Sequence, residues 1–370
     1  MISRREILAL AGTAPAWLGS SSQAATVPNK PKMGGAPTAF SVRSRGGRGF
    51  APGARGGAAG GAAAQAGVRP ASSFDIVQHC KNIGLAGVQT NPPATDADTI
   101  AKFRARLESL NLYLISDVRL PNAKSDLDAF ETQVKAYKEA GALYFHVALT
   151  GRRYEDFDAV GPWKEMVDRI HRSGELAEPI LHKYQMKLGF ENHKGYRSAE
   201  QAAWLKHVSS EYLGVCYDFG NNLSLCETPD QSLKTLLPYI FYSHIKDMGL
   251  QEYEDGFLLS EVVMGDGALD LKGMVQTLRQ KDPNHIFLLE MITRDPLKIP
   301  VYTDKYWATF DDVLSPLPGR DLAHTLALVK KNVPKKPLPS ISGLSPEAAV
   351  KLEDDLNLAN IAWARQNLDL

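Results

Sequence analysis

Residues 187–191 read Lys-Leu-Gly-Phe-Glu, residues 213–218 Leu-Gly-Val-Cys-Tyr-Asp, residues 240–245 Ile-Phe-Tyr-Ser-His-Ile and residues 285–290 His-Ile-Phe-Leu-Leu-Glu. Each is a short apolar run with an ionisable residue at or near its end, the pattern of a buried parallel strand that delivers one polar group to its carboxyl edge. The intervals between Glu191, Asp218, His244 and Glu290 are 27, 26 and 46 residues. The short intervals equal one strand-plus-helix unit, and the long one holds an extra segment at 256–270, with Gly265-Asp-Gly267, that reads as a hairpin or lid. Working towards the N-terminus, strands are expected at 86–91, 112–118 and 142–148, separated by helical spacing at 96–111, 127–140 and 163–184, with a helix at 74–82 before them. A run at 37–42 is expected as the first strand, which makes eight. Strands alternating with helices imply right-handed crossovers and a parallel sheet, and eight of them close into a (β/α)8 TIM barrel. The alternative, an open doubly wound sheet, lacks a GxGxxG turn opening any early helix.

Composition narrows the class further. The chain has 370 residues, 42 Lys+Arg against 42 Asp+Glu, and 44% hydrophobic residues, so no net charge draws it to a nucleic-acid backbone or an anionic membrane. Its three cysteines form no CxxC pair and no disulfide framework. Residues 1–25 have the form of a twin-arginine export signal, with Arg4-Arg5, a weakly apolar run to Gly19 and Ser22-Gln23-Ala24 for cleavage. The expectation is a periplasmic or secreted protein with no membrane span once the signal is removed. The barrel is expected over 32–332, with a Gly/Ala-rich insertion at 44–72 containing nine glycines between Gly46 and Gly67, and a tail helix within 333–370. An oligomer is compatible with this organisation.

Ionisable residues at four successive strand ends converge on the axis of such a barrel. Three carboxylates there repel one another unless a cation or shared protons compensate them; a divalent metal is the economical solution, and one imidazole with three carboxylates favours Mn²⁺ or Mg²⁺, with Zn²⁺ also fitting and Mn²⁺ first. The blocks Gly189-Phe-Glu-Asn-His193, Val215-Cys-Tyr-Asp-Phe-Gly-Asn221, Ser243-His-Ile-Lys-Asp247, Met264-Gly-Asp-Gly-Ala-Leu-Asp270 and Leu289-Glu290 resemble, in order and spacing, those of the xylose isomerase-like TIM barrel superfamily, the sugar phosphate isomerase/epimerase group. The resemblance covers about 32–332. It implies that Glu191, Asp218, His244 and Glu290 are the metal ligands, and that Glu191 and Glu290 also serve as the acid/base pair on the two faces of a sugar.

The departures carry information too. Asn221 stands where many sugar epimerases of the group have His, and is assigned to substrate binding with Arg294 and His146. The extra histidines of the related three-metal endonucleases are not found, and the balanced charge also disfavours a DNA substrate. His193 and Lys246 are assigned acid/base or substrate-oxygen duties, with a structural salt bridge as the other reading of Lys246. Alternation leaves open whether His146 faces the pocket or the helices. An Arg294–Asp295 surface pair is the other reading of Arg294. Tyr306 and Trp307 are candidates for a sugar platform, while His79, His171, His182, His207 and His324 fall in helical segments and are expected to be structural or solvent-facing. The expected function is a divalent-metal-dependent sugar isomerase or epimerase acting by proton abstraction next to a carbonyl. A keto-sugar or 3-keto-glycoside lyase on the same barrel is the first alternative, favoured by export and by Asn221. A non-catalytic carbohydrate-binding barrel is the second.

Overall fold

The computed structural model describes residues 32–47, 74–148, 150–310 and 316–370. The export-signal reading and most of the Gly/Ala-rich insertion lie outside them. Eight parallel strands close a barrel: β1 (Gly34–Gly35), β2 (Gly87–Gln89), β3 (Tyr113–Asp117), β4 (Ala142–Val147), β5 (Leu188–Glu191), β6 (Leu213–Asp218), β7 (Ile240–Ile245) and β10 (Phe287–Leu289). Each pairs with its neighbour in chain order, and β10 closes against β1 with Gly34 opposite Leu288 and Gly35 opposite Leu289. Helices such as Ala97–Leu110, Leu127–Glu139 and Val160–Tyr184 return the chain between strands. The first two have Asp96 capping at 2.9 Å and the buried stripe Phe130, Val134 and Tyr137, respectively. Among the described residues no helix is long and apolar enough to cross a membrane.

The first strand corrects the sequence expectation. Residues Pro37–Phe40 form a 3-10 turn and Ser41–Ser44 a short α-helix, while the strand is the Gly-Gly pair just before them. Pro37 opens the turn as proline does at a helix start, and the buried positions Ala39, Phe40 and Val42 do not alternate as a half-buried strand requires. The strand itself is glycine because nothing larger fits: a Cβ on Gly34 would lie 2.6 Å from the Tyr113 hydroxyl and 2.7 Å from Leu288.

The extra segment after β7 is a hairpin that starts earlier than expected. Strands β8 (Asp247–Tyr253) and β9 (Gly256–Val262) pair antiparallel, and β11 (Leu297–Ile299) joins β9 on its other edge. Asp247 pins the loop that follows, accepting from the backbone N–H of Gly265 at 2.9 Å, Gly267 at 3.1 Å and Leu269 at 3.1 Å. The helix Pro346–Leu368 packs on the barrel, as expected of the tail. Its buried Glu353 accepts from the N–H of Val42 at 2.6 Å and of Arg43 at 3.0 Å, and Asn357 donates to Ala39 O at 2.7 Å. The tail thereby holds the segment that follows β1.

Candidate active site

Seven barrel strands deliver polar groups at their carboxyl ends: Gln89, Asp117, His146, Glu191, Asp218, His244 and, directly after β10, Glu290. They line a cavity of about 430 Å³ together with Thr38, His193, Lys194, Asn221, Lys246 and Arg294. The cavity therefore gathers every residue assigned above to metal, substrate or acid/base duty. Tyr306 and Trp307 are not part of it. Tyr306 is buried against Tyr154 and Phe310, and the Trp307 indole donates to Val301 O at 2.9 Å, so both belong to the packing around the site.

Glu191, His244 and Glu290 bring ligand atoms within 4.8 Å of one another. Asp218 stands outside that trio. The Lys246 ammonium bridges it to Glu290, at 2.6 Å and 2.7 Å, and the Asn221 amide donates to the same Asp218 oxygen. The remaining oxygen of Asp218, Oδ1, is buried without a hydrogen-bond partner, as is His244 Nδ1. Two orphaned electron-pair donors beside two carboxylates are the donor set a divalent cation requires, and burial without a partner is costly otherwise. A second group with the same reach, His146, Cys216 and His244, shares the imidazole.

A chain of hydrogen bonds fixes which His244 nitrogen offers the lone pair. Asp117 only accepts, so the Gln89 amide must turn its N–H to Asp117 Oδ1, at 2.8 Å, and its carbonyl to His244 Nε2, at 2.7 Å. Nε2 therefore carries a proton, and Nδ1, 3.6 Å from Glu290 Oε1, is the nitrogen that either takes a second proton or offers its lone pair to a cation; against its burial, Cys216 and Glu290 raise His244 above the usual histidine range. Asp117 also receives His146 Nδ1 at 2.7 Å, and His146 Nε2 reaches Glu191 Oε2 at 3.2 Å. A ring set between two carboxylates is satisfied as an imidazolium. Against its burial, the hydrogen bond to Asp117 raises His146 well above the usual histidine range.

The same contacts set the carboxylates. Against its burial, the His146 hydrogen bond brings Glu191 down to about 2, and Lys246 with His244 holds Glu290 well below the usual range. Asp218 is pushed up by burial and by Glu290, with Lys246 opposing. His193 donates from Nδ1 to Thr150 O at 2.5 Å, and burial lowers it to about 4 beside Lys194. It thus lines the cavity as a neutral ring with Nε2 available to accept.

Two substrate-binding assignments change character. Asn221 gives its N–H groups to Glu191, at 3.1 Å, and to Asp218, while its oxygen accepts from Lys194. It holds the carboxylates in place. Arg294 forks onto Glu261, at 2.6 Å and 3.2 Å, in place of the surface pair with Asp295, which instead binds Ser340 and Ser342. The sequence reading missed Gln89, Asp117, Lys194 and Glu261. Strand-end position was the available signal for Gln89 and Asp117, whereas Glu261 lies on the inserted hairpin, where barrel periodicity says nothing.

The chain resembles two curated proteins over part of their length. It is 29% identical over 108 residues to 3-oxo-isoapionate decarboxylase of Pectobacterium atrosepticum, covering 29% of this chain and 39% of that protein. It is 30% identical over 216 residues to the uncharacterized protein YihM of Escherichia coli, covering 57% of this chain and 63% of that one. The matches thus span less than two thirds of either relative. Among solved structures it is similar to a D-psicose 3-epimerase determined in the presence of D-fructose, at 12% identity, TM-score 0.49 and 79% and 92% coverage of the two chains. It is also similar to a 3-keto-D-glucoside 4-epimerase from E. coli, at 14% identity, TM-score 0.45 and 62% and 90% coverage. The family described as xylose isomerase-like TIM barrel matches residues 77–308, well over half of the sequence, and the chain belongs to that family.

Proposed function

We propose that the protein is a divalent-metal-dependent enzyme that moves a proton next to the carbonyl of a sugar, giving isomerisation or epimerisation. The observation that carries this reading is the pair of orphaned buried atoms, His244 Nδ1 and Asp218 Oδ1, beside Glu191 and Glu290 in the cavity. Glu191, Asp218, His244 and Glu290 would hold the ion, Mn²⁺ by preference. When bound, it would polarise a sugar carbonyl and lower the pKa of the adjacent C–H.

The chain's own residues do the rest. Glu191 is ionised and receives the proton from carbon, while the His146 imidazolium stabilises its charge and fixes its orientation. Glu290 is held by Thr38, at 2.8 Å, and by Lys246, and stands as the second carboxylate of the acid/base pair. His193 accepts a substrate hydroxyl through Nε2. The stretch shared with a decarboxylase supports a second reading on the same site: the enediolate left by proton removal expels a group β to the carbonyl, or CO2 leaves the carbon next to the carbonyl in place of the proton and its bonding pair becomes that enediolate. Export to the periplasm or cell exterior remains part of the proposal, resting on Arg4-Arg5 and the run after it.

Proton NMR in deuterated water, with the Mn²⁺-loaded protein and a panel of free keto-sugars and 3-keto-glycosides, tests the assignment. Deuterium beside the carbonyl of a recovered isomer is the expected result, lost in Glu191→Gln with the fold retained. An unsaturated or decarboxylated product supports the second reading, and no turnover of any sugar refutes both.

A further inference from the structure

Lys194 lies three residues beyond β5 and is 2% exposed, yet it lines the cavity. Its ammonium donates to the neutral oxygen of Asn221, and among the described residues no carboxylate lies within ion-pair distance of it. The neighbouring cations are placed differently. Lys246 is held between Asp218 and Glu290, and the Arg294 fork is taken by Glu261. A buried ammonium with one neutral acceptor keeps N–H donors unused and lacks the counter-charge that buried charges ordinarily have. Burial, with Lys246 and Arg294 close by, lowers it to about 7, a cost that an anion docked against it would reverse.

We propose that Lys194 is the anion-recognition residue of this cavity, and that the sugar it selects bears a carboxylate: a keto-sugar acid. The inference rests on the keto-sugar reading above and names its substrate class. A monoanion is favoured over a phosphate ester by the donors available. Phosphate recognition uses several converging donors, typically backbone N–H groups at a helix start or an arginine fork, and the fork here is already occupied. One ammonium with N–H donors to spare matches a single carboxylate oxygen, the Asn221 amide being already engaged with Glu191, Asp218 and Lys194 itself.

Titration calorimetry of the full-length, Mn²⁺-loaded protein with 2-keto-D-gluconate and D-fructose is the direct test. The two share skeleton and carbonyl and differ in a carboxylate for a hydroxymethyl group. The wild type should bind the acid about tenfold more tightly or better, the scale of a charge-assisted hydrogen bond. Lys194→Met should erase that preference, weakening the acid about tenfold more than fructose. Equal wild-type affinity for the two sugars overturns the inference whether or not the variant folds. So does parallel loss of both ligands in Lys194→Met, binding of neither, or displacement of the acid by inorganic phosphate at comparable concentration. Deuterium exchange into fructose without a preference for the acid would sink this inference and leave the keto-sugar reading standing. A preference without exchange into either sugar would do the reverse.

Discussion

Replacing Gln89 with Leu keeps the bulk of the side chain and removes both arms of the relay from Asp117 to His244. The amide gives a 2.8 Å bond to Asp117 and accepts a 2.7 Å bond from His244 Nε2, with His244 1% exposed. Its loss leaves a buried N–H without an acceptor, at a cost of about 1–3 kcal/mol in stability. It also frees the imidazole proton to move to Nδ1, the nitrogen facing Glu290. Removing such an outer partner of a ligating histidine weakens metal binding by about 10–100-fold, equivalent to about 1.4–2.8 kcal/mol. The assay is calorimetric titration of Mn²⁺ into metal-stripped wild type and Gln89→Leu, with thermal melts of both run alongside. A lowered melting temperature with undiminished Mn²⁺ affinity would refute the reasoning, because His244 would then hold its tautomer without Gln89.

Three further outcomes are expected. Lys246→Met leaves Asp218 and Glu290 facing each other without their shared ammonium, and should cost about 3–5 kcal/mol by urea denaturation of the metal-free protein. Added Mn²⁺ should recover part of that, and a midpoint equal to wild type would show that Lys246 is not the counter-ion. Gly34→Ala forces a methyl group against Tyr113 and Leu288, and should destabilise the barrel by about 1–3 kcal/mol in the same assay; an unchanged midpoint would show that β1 tolerates bulk. Burial raises Glu353 to about 7 from an ordinary 4.5, so its contribution to folding is full below about pH 4.5 and is lost as pH rises through 7. Urea midpoints of Glu353→Gln between pH 5 and 8 should accordingly decline less than those of wild type, and parallel curves would contradict the assignment.

The barrel was legible because seven of its strands carry apolar side chains that mark burial and period. The eighth was not, since Gly34 and Gly35 have no side chains to signal it, and the apolar residues just downstream imitate a strand. Strand ends gave Glu191, Asp218, His244 and Glu290. The orientation of His146 needed coordinates, because alternation says that it opposes Phe145 and does not say which of the two faces the axis. The partners that set the chemistry were less accessible still. The Lys246 bridge, the Arg294–Glu261 fork and the Gln89 relay join residues between 28 and 155 positions apart, and no local pattern encodes them. The start of the hairpin is hidden in the sequence for a simpler reason: Asp247 begins β8 immediately after the His-Ile-Lys block, so a motif and a new strand share one run of sequence.

The bond between Glu353 and the amides of Val42 and Arg43 spans 311 residues. At ribosomal rates of about 5–20 residues per second, roughly 15–60 s pass between synthesis of its two ends. During that interval the segment bearing Thr38, one wall of the cavity, has no tail helix to lean on. The eight strands can pair before the mouth of the site acquires its final shape, so catalytic competence should trail barrel closure in a growing chain. A ribosome stalled before residue 353 would then carry a folded barrel with an unfinished rim.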